Sequence, residues 1–301
     1  MRHAYHVVDV FTDTALAGNP LAVVLEAGDI ADDRAQAIAR EFNLSETVFV
    51  DDPRDSVNTA RLRIFTPARE LPFAGHPTVG AAALIATLRA PEMLARQDLA
   101  VVLEERIGAV ECIVRRPKGR LQASFTLPKL PERAGAAPSP AVLAEALGLD
   151  EDEIGFAGHA PTAFSAGVPY LCVPLRPGAI ARVRPEPSRW PNLLPPDAPP
   201  SIYAYSRDVA DPASRYRARM FSAGFGLGED PATGSAAAAF AGAVVAQDGL
   251  GDGDHTLVIE QGFEMGRPSV IVLGLQIEAG GLAAASIGGG VVRVSEGTLH
   301  L

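Results

Sequence analysis

The chain contains the stretch Gly75-His76-Pro77-Thr78-Val79-Gly80-Ala81-Ala82-Ala83 and a second version of it, Glu229-Asp230-Pro231-Ala232-Thr233-Gly234-Ser235-Ala236-Ala237. An offset of 154 (230 − 76) aligns His76 with Asp230, Pro77 with Pro231 and Gly80 with Gly234. A proline lacks the N–H that a first helical residue cannot use, so each copy predicts a helix that begins at its proline. Such helix starts bind anions through free N–H groups and the positive end of the helix dipole. Two of them predict two halves facing a shared pocket.

Other landmarks repeat in the same order, with offsets between 149 and 156. The matched pairs are Gly18-x-Pro20 with Gly167-x-Pro169, Gly28-Asp29-Ile30 with Gly178-Ala179-Ile180, Arg63-Ile64-Phe65 with Arg219-Met220-Phe221, and Leu103-Glu104 with Ile259-Glu260. A single Gly-x-Pro match carries little weight, but the preserved order indicates an internal duplication of about half the chain. Pro128–Ser139, rich in Pro, Gly and Ala, is the predicted linker between the halves.

Composition indicates a soluble globular protein with room for two domains. The chain has 301 residues, 48% of them hydrophobic and 21% charged. The formal net charge of −10 argues against nucleic acid or an anionic membrane as a partner. The opening residues alternate like a strand and lack the apolar block of a signal peptide, so we expect a cytoplasmic location. Neither apolar run, Val79–Leu88 or Ser235–Ala246, reaches the roughly 20 residues of a membrane span.

Cysteine and histidine usage predicts no metal site. Cys112 and Cys172 are the only cysteines, too few for a disulfide framework or a zinc cluster. The histidines outside the repeated stretch are scattered without metal-ligand spacing.

Glu46 is the candidate acid–base residue. It lies between a loop and an apolar strand in Asn43-Leu44-Ser45-Glu46-Thr47-Val48-Phe49-Val50. Desolvation there would disfavour its charged form and raise its pKa toward the range useful for moving a proton. The alternative is an ordinary loop carboxylate that accepts hydrogen bonds from nearby N–H groups.

His76 and Asp230 are the next candidates. A helix start disfavours the imidazolium form, so His76 is predicted to be a neutral donor or acceptor aimed at a ligand. Asp230 is equally explained as a helix cap. Thr233 and Ser235 add hydroxyl groups that either contact an anion or complete the turn.

Five phrases together resemble the PhzF-like isomerase family of phenazine biosynthesis. They are Gly18-Asn19-Pro20-Leu21-Ala22-Val23, Asn43-Leu44-Ser45-Glu46-Thr47, Glu70-Leu71-Pro72-Phe73-Ala74-Gly75-His76-Pro77-Thr78, Glu229-Asp230-Pro231-Ala232-Thr233-Gly234-Ser235 and Gly262…Gly266-Arg267-Pro268-Ser269. They occur in order from near residue 10 to near residue 270.

The resemblance implies an α/β (α+β) fold like that of diaminopimelate epimerase. Two pseudo-symmetric halves would each wrap a curved, mostly antiparallel sheet around a central helix, with the site in the cleft between them. The first half would span residues 1–128 with a closing strand from about 288–301, and the second residues 129–287. A homodimer without a cofactor is also implied.

The resemblance also implies roles for individual residues. Glu46 would be the acid–base group, assisted by His76 and Asp230. Gly75, Thr233, Gly234 and Ser235 would bind the substrate carboxylate or other polar oxygens. Related epimerases carry a catalytic cysteine at each helix start, and its absence here disfavours a two-thiol racemase.

The predicted function is therefore isomerisation of a small carboxylate-bearing metabolite by Glu-mediated proton transfer. A phenazine precursor is one candidate substrate, although Ser165–Tyr170 is less basic than the corresponding segment of phenazine-forming members. An epimerase, racemase or dehydratase of an amino or hydroxy acid is one alternative. A non-catalytic protein that binds small molecules is the other.

Overall fold

A computed structural model of the chain describes residues 2–222 and 228–301. The chain forms two compact units: the first comprises residues 1–126 and 288–301, and the second residues 127–287. Within the described residues, no helix is long and apolar enough to cross a membrane.

The first unit contains strands β1 to β8 and helices α1 to α3. Their bounds are β1 Arg2–Val10, β2 Asn19–Val24, α1 Asp32–Phe42, β3 Glu46–Asp51, β4 Ala60–Phe65, β5 Glu70–Leu71, α2 Gly75–Arg89, α3 Pro91–Leu94, β6 Leu99–Glu105, β7 Gly108–Arg115 and β8 Gln122–Thr126.

The second unit begins with β9 and ends within β17, a long strand whose residues 288–300 belong to the first unit. The bounds are β9 Glu132–Arg133, α4 Pro140–Leu147, β10 Thr162–Ser165, β11 Pro169–Pro174, α5 Trp190–Leu193, β12 Ser201–Ser206, β13 Tyr216–Ser222, β14 Glu229–Asp230, α6 Gly234–Gln247, β15 Gly253–Gln261, β16 Ser269–Glu278 and β17 Gly281–His300. The predicted linker therefore contains a strand, β9, which pairs with β10.

The sheet of the first unit closes on itself. Strand β1 pairs with β2, β2 with β3, β3 with β4, β4 with β6, β6 with β7 and β7 with β8. Both β8 and β1 pair with β17, which completes the barrel. Helix α2 contacts six of these strands, and residues Gly75–Ala86 are all buried. A helix without a polar face is stable only when it is enclosed in this way.

The second unit repeats the same order of strand pairings. From β1 to β7 the successive pairs are antiparallel, parallel, antiparallel, parallel and antiparallel, and the pairs from β10 through β11, β12, β13, β15 and β16 follow the same sequence. Helix α6 is buried over Ala236–Val244 and contacts β9, β10, β11 and β16. The predicted duplication, with a curved sheet around a central helix in each half, is confirmed.

The predicted overlay of His76 on Asp230 is wrong. The first i→i−4 hydrogen bonds run from Thr78 to Ala74 in α2 and from Ala237 to Thr233 in α6, an offset of 159 (237 − 78). At this offset the counterpart of His76 is Ser235. Asp230 lies in β14, before the helix, and its counterpart in β5 is Leu71 (230 − 71 = 159).

Neither helix begins at its proline. Pro77 is the third residue of α2, and Pro231 precedes α6. Any position in the first turn lacks an intrahelical acceptor for its N–H, so proline is tolerated there as well as at the first residue. The offset between equivalent residues changes upstream of the helices. Phe65 pairs with Glu70, five residues later in the chain, whereas Phe221 pairs with Glu229, eight residues later.

The fit of α2 inside its barrel can be tested at Gly80. A Cβ atom there would lie 2.7 Å from Leu21 Cδ2 and 2.8 Å from Val10 Cγ2. We expect Gly80→Val to lower the free energy of unfolding by roughly 1–3 kcal/mol, measured by urea denaturation, because the added carbons overpack the barrel. Leu88→Val, at the exposed end of the same helix, is the control and should change it by no more than about 0.5 kcal/mol. Equal effects of the two substitutions would contradict the tight fit.

Candidate active site

Both central helices begin without a side-chain cap. The N-cap residues Ala74 and Thr233 have extended backbones, and neither accepts a hydrogen bond from the helix through its side chain. The N–H groups before the first helical bond belong to Gly75 and His76 in α2, since Pro77 has none, and to Gly234, Ser235 and Ala236 in α6. Such groups, at the positive end of the helix dipole, form a site for a carboxylate or another anion.

In the first unit, the structure brings Glu46 and His76 together. Glu46 is the first residue of β3, and His76 is the second residue of α2. The distance between Glu46 Oε2 and His76 Nε2 is 3.3 Å. Only 16% of the Glu46 side chain and 5% of the His76 side chain is exposed. The two predicted catalytic residues of this unit therefore form a contact largely removed from water.

Asn19, which the sequence placed in one of the five family phrases without a role of its own, completes this cluster. Its Nδ2 lies 3.4 Å from His76 Nδ1, and the residue is fully buried. The preceding Gly18 has φ +66°, and a Cβ there would come within 2.3 Å of the Val10 carbonyl oxygen. Glycine is therefore required for the backbone turn that delivers the Asn19 amide into the barrel.

These contacts define the protonation of His76. An amide NH₂ group can only donate, so Nδ1 of His76 accepts and the ring hydrogen is on Nε2, the atom that lies 3.3 Å from Glu46 Oε2. Burial lowers the pKa of His76 to about 3, so the ring is neutral near pH 7. Sequence reasoning anticipated a neutral imidazole from the helix dipole, whereas the main physical cause is desolvation.

In the second unit, Asp230, Thr233 and Gln261 form one hydrogen-bonded group. Thr233 Oγ1 donates to Asp230 Oδ2 at 2.5 Å. Gln261 Nε2 donates to the Asp230 carbonyl oxygen at 2.8 Å, and Gln261 Oε1 accepts from the Thr233 N–H at 3.2 Å. The N-cap of α6 is Thr233, so the interpretation of Asp230 as a helix cap is wrong. The hydroxyl of Thr233 orients the Asp230 carboxylate.

Ser235 contacts a residue that sequence reasoning did not select. Its Oγ lies 2.8 Å from the hydroxyl of Tyr170, which is 1% exposed and belongs to β11. The signal was weak in sequence, because a tyrosine in an apolar strand is usually a core residue.

Apart from Gly75 and Gly234, the candidate residues of the two units differ chemically from their counterparts. Thr47 pairs with Phe65 as Ile202 pairs with Phe221, so the counterpart of Glu46 is Ser201, which donates a hydrogen bond to Ser222. The first unit thus carries one candidate carboxylate, Glu46 of β3, and the second unit carries another, Asp230 of β14. Among the described residues, no group of His, Cys, Asp and Glu is arranged to hold a metal ion.

Comparison with known proteins shows the family to which the chain belongs. The family model for phenazine biosynthesis-like protein, PhzC-PhzF, matches residues 8–297. An "uncharacterized isomerase" of Mesorhizobium japonicum is 47% identical over 99% of this chain and 98% of its own length. The trans-2,3-dihydro-3-hydroxyanthranilate isomerase of Pseudomonas fluorescens is 32% identical over 99% of this chain and 100% of its own.

Solved structures agree. The crystal structure of a Bacillus anthracis phenazine biosynthesis protein of the PhzF family superposes with a TM-score of 0.88, at 25% identity, over the full length of both chains. Because the curated relatives are named isomerases, the prediction of an isomerase is confirmed. The chain belongs to the phenazine biosynthesis-like protein family, PhzC-PhzF.

Proposed function

We propose that the protein is a cofactor-independent isomerase that moves a proton between two carbon atoms of a small carboxylate-bearing metabolite. The observation that carries this proposal is the contact between Glu46 and the neutral ring of His76 at an uncapped helix start. A buried carboxylate beside an anion-binding backbone is suited to remove a proton from a carbon next to a bound carboxylate.

The reaction balances with one carboxyl group. The Glu46 carboxylate takes a proton from one carbon of the substrate, and the C–H electron pair enters the adjacent unsaturated system. The double bonds shift, and the Glu46 carboxylic acid returns the proton to another carbon. No electron leaves the substrate, so the product is an isomer and the enzyme regains its initial state.

His76 is proposed to orient Glu46 throughout this cycle. Its Nε2 lies 3.3 Å from Glu46 Oε2 while its Nδ1 is held by Asn19. A neutral ring beside the carboxylate does not trap it, as a cation would, so Glu46 can still accept the substrate proton.

We propose that both half-sites contact the same substrate molecule. The N–H groups of Gly75 and His76 and those of Gly234 and Ser235 would bind carboxylate or hydroxyl oxygens, and Asp230 would steady the charge of the intermediate. The Pseudomonas fluorescens relative is named for trans-2,3-dihydro-3-hydroxyanthranilate, a cyclic carboxylate, so this compound and simpler cyclic carboxylates are the first to test.

An epimerase is the second candidate, favoured by the presence of one carboxylate in each half-site. Glu46 could remove a proton from a chiral carbon and Asp230 could deliver another to the opposite face. Both helix starts carry residues other than cysteine, so a two-thiol version of this chemistry has no support. The two candidates differ in product, which is a constitutional isomer in one case and a stereoisomer in the other.

Replacing Glu46 tests the base directly. We expect Glu46→Gln to reduce incorporation of solvent deuterium into the substrate by about a hundredfold or more, because an amide cannot accept the proton. The measurement is mass spectrometry of cyclic carboxylates incubated in D₂O. Glu111→Gln, on the outer face of β7, is the matched control and should exchange at the parent rate. Exchange at the parent rate by Glu46→Gln would exclude Glu46 as the base.

Replacing Asn19 tests the orientation of His76. An Asn19→Asp carboxylate accepts a hydrogen bond where the amide donated, so we expect the ring hydrogen to move to Nδ1 and the kcat to fall at least about tenfold with a smaller change in KM. Imidazole ¹⁵N chemical shifts of His76 report the tautomer, and Asn43→Asp, at the exposed end of α1, is the control. An unchanged tautomer combined with unchanged kcat would contradict the proposed role of Asn19.

A further inference from the structure

The last residues of β6 and β15 are equivalent, yet one is an acid and the other an amide. Glu104 pairs with β4 in the same register as Glu260 pairs with β13. Each of these two carboxylates accepts hydrogen bonds from two backbone N–H groups in the loop that precedes its paired strand, β4 or β13. The next residue is Glu105 in the first unit and Gln261 in the second (261 − 105 = 156). Both point to the start of the central helix of their own unit.

Glu105 contacts the first turn of α2 through Thr78. The Thr78 hydroxyl oxygen lies 2.7 Å from Glu105 Oε1 and 2.8 Å from the carbonyl oxygen of Ala74, the N-cap residue. A hydroxyl has a single hydrogen to donate, and the carbonyl oxygen carries none. Both contacts are satisfied when the carboxyl group is protonated and donates to Thr78, which then donates to Ala74.

The surroundings of Glu105 disfavour its charge. The residue is 8% exposed, and its Oε2 has no hydrogen-bond partner among the described residues. Burial raises the pKa of Glu105 to about 8, against the smaller opposing effect of the Thr78 hydrogen bond. Cys112, on β7, is a buried thiol whose pKa is itself raised by burial and by Glu105.

No neighbouring cation pairs with Glu105 in the described residues. It lines a cavity of about 420 Å³ with seven other charged residues: Arg54, Arg61, Arg63, Arg106, Asp32, Glu70 and Glu104. Arg61 and Arg63 pair with Asp51, and Arg106 pairs with Glu70. An ionised Glu105 would therefore be a buried charge without compensation.

Gln261 shows what a neutral group does at this position. Its amide donates to the Asp230 carbonyl oxygen and to Thr233 Oγ1, and it accepts from the Thr233 N–H. These bonds fix the residues that begin α6. A protonated carboxyl group, with one donor and one acceptor, supplies a similar set.

We propose that Glu105 is a positioning residue that, as an uncharged carboxylic acid, holds the first turn of α2 and thereby His76, as Gln261 holds the first turn of α6. The contacts of Glu105 do not depend on turnover, whereas the importance of His76 rests on the proposed function. When Glu105 loses its proton, Thr78 turns its one hydrogen to the carboxylate and releases the Ala74 carbonyl oxygen, which changes the first turn.

The test is a pH titration of the ligand-free protein followed by ¹H–¹⁵N NMR. The amide resonances of His76 and Thr78 should shift with a midpoint near pH 8 in the parent, and Glu105→Gln should abolish this shift and keep the low-pH positions. Glu70→Gln, in the same cavity, is the control and should titrate like the parent. Absence of the titration in the parent, or its persistence in Glu105→Gln, would overturn the proposal.

Thr78→Val provides a second variant in case Glu105→Gln fails to fold. It removes the hydroxyl that links Glu105 to the Ala74 carbonyl oxygen, so the shift of the His76 amide near pH 8 should disappear. A His76 shift as large as that of the parent would overturn the proposal.

Stability and activity provide two independent measurements of the protonation of Glu105. The folded chain holds it up to about pH 8 and the unfolded chain only to about 4.5, so parent stability should fall as pH rises through this window, and Glu105→Gln should lose that dependence. With an active substrate, kcat/KM of the parent should fall above about pH 8, and that of Glu105→Gln should not. Failure to find any turnover would count against the proposed function alone, since the NMR and unfolding experiments need no substrate.

Discussion

The structure depends on a central helix enclosed in a closed sheet. The first N–H groups of this helix have no hydrogen-bond acceptor within the helix itself. Helix α2 is buried from Gly75 to Ala86, and neither Ala74 nor Thr233 caps its helix with a side chain. Buried N–H groups without partners are costly, so a helix start of this kind favours an incoming anion. Small Ala and Gly residues let the helix fit inside the sheet, and the uncapped start of the helix leaves the N–H groups that we propose bind a carboxylate.

Duplication accounts for the order of strand pairings that the two units share, and divergence of the sequence accounts for the different chemical groups at equivalent positions. The two units share one order of strand pairings, but equivalent positions carry different groups: Glu46 and Ser201, His76 and Ser235, Leu71 and Asp230, Glu105 and Gln261. A symmetric pair of acids would suit abstraction from one face and delivery to the other. One unit carries Glu46 beside a neutral histidine and the other carries Asp230, and this asymmetry is the reason we propose that a single carboxyl group moves the proton.

The repeated Gly, Pro and Ala landmarks predicted the internal duplication, whereas the curved sheet around a central helix in each half was implied by the resemblance to a known family. The predicted alignment of the two copies was wrong at Asp230 because it matched the two prolines. The strand pairs Phe65–Glu70 and Phe221–Glu229 enclose different numbers of residues, so only the strand pairing gives the correct alignment. The sequence was sufficient to select Glu46 and His76 as candidates, but it could not predict that their side chains are in contact. Asn19, Tyr170 and Gln261 were missed because each functions through a partner that is distant in sequence.

The central claim is that Glu46 alone carries the proton from one carbon to another. Substrate labelled with deuterium at the carbon that loses its proton, and converted in ordinary water, tests this directly. The account predicts that part of the deuterium reappears at the carbon that gains a proton, because the same carboxyl group delivers it. A product whose new hydrogen comes entirely from solvent, even in a single turnover, would contradict return of the same proton by Glu46 and would favour separate acid and base groups.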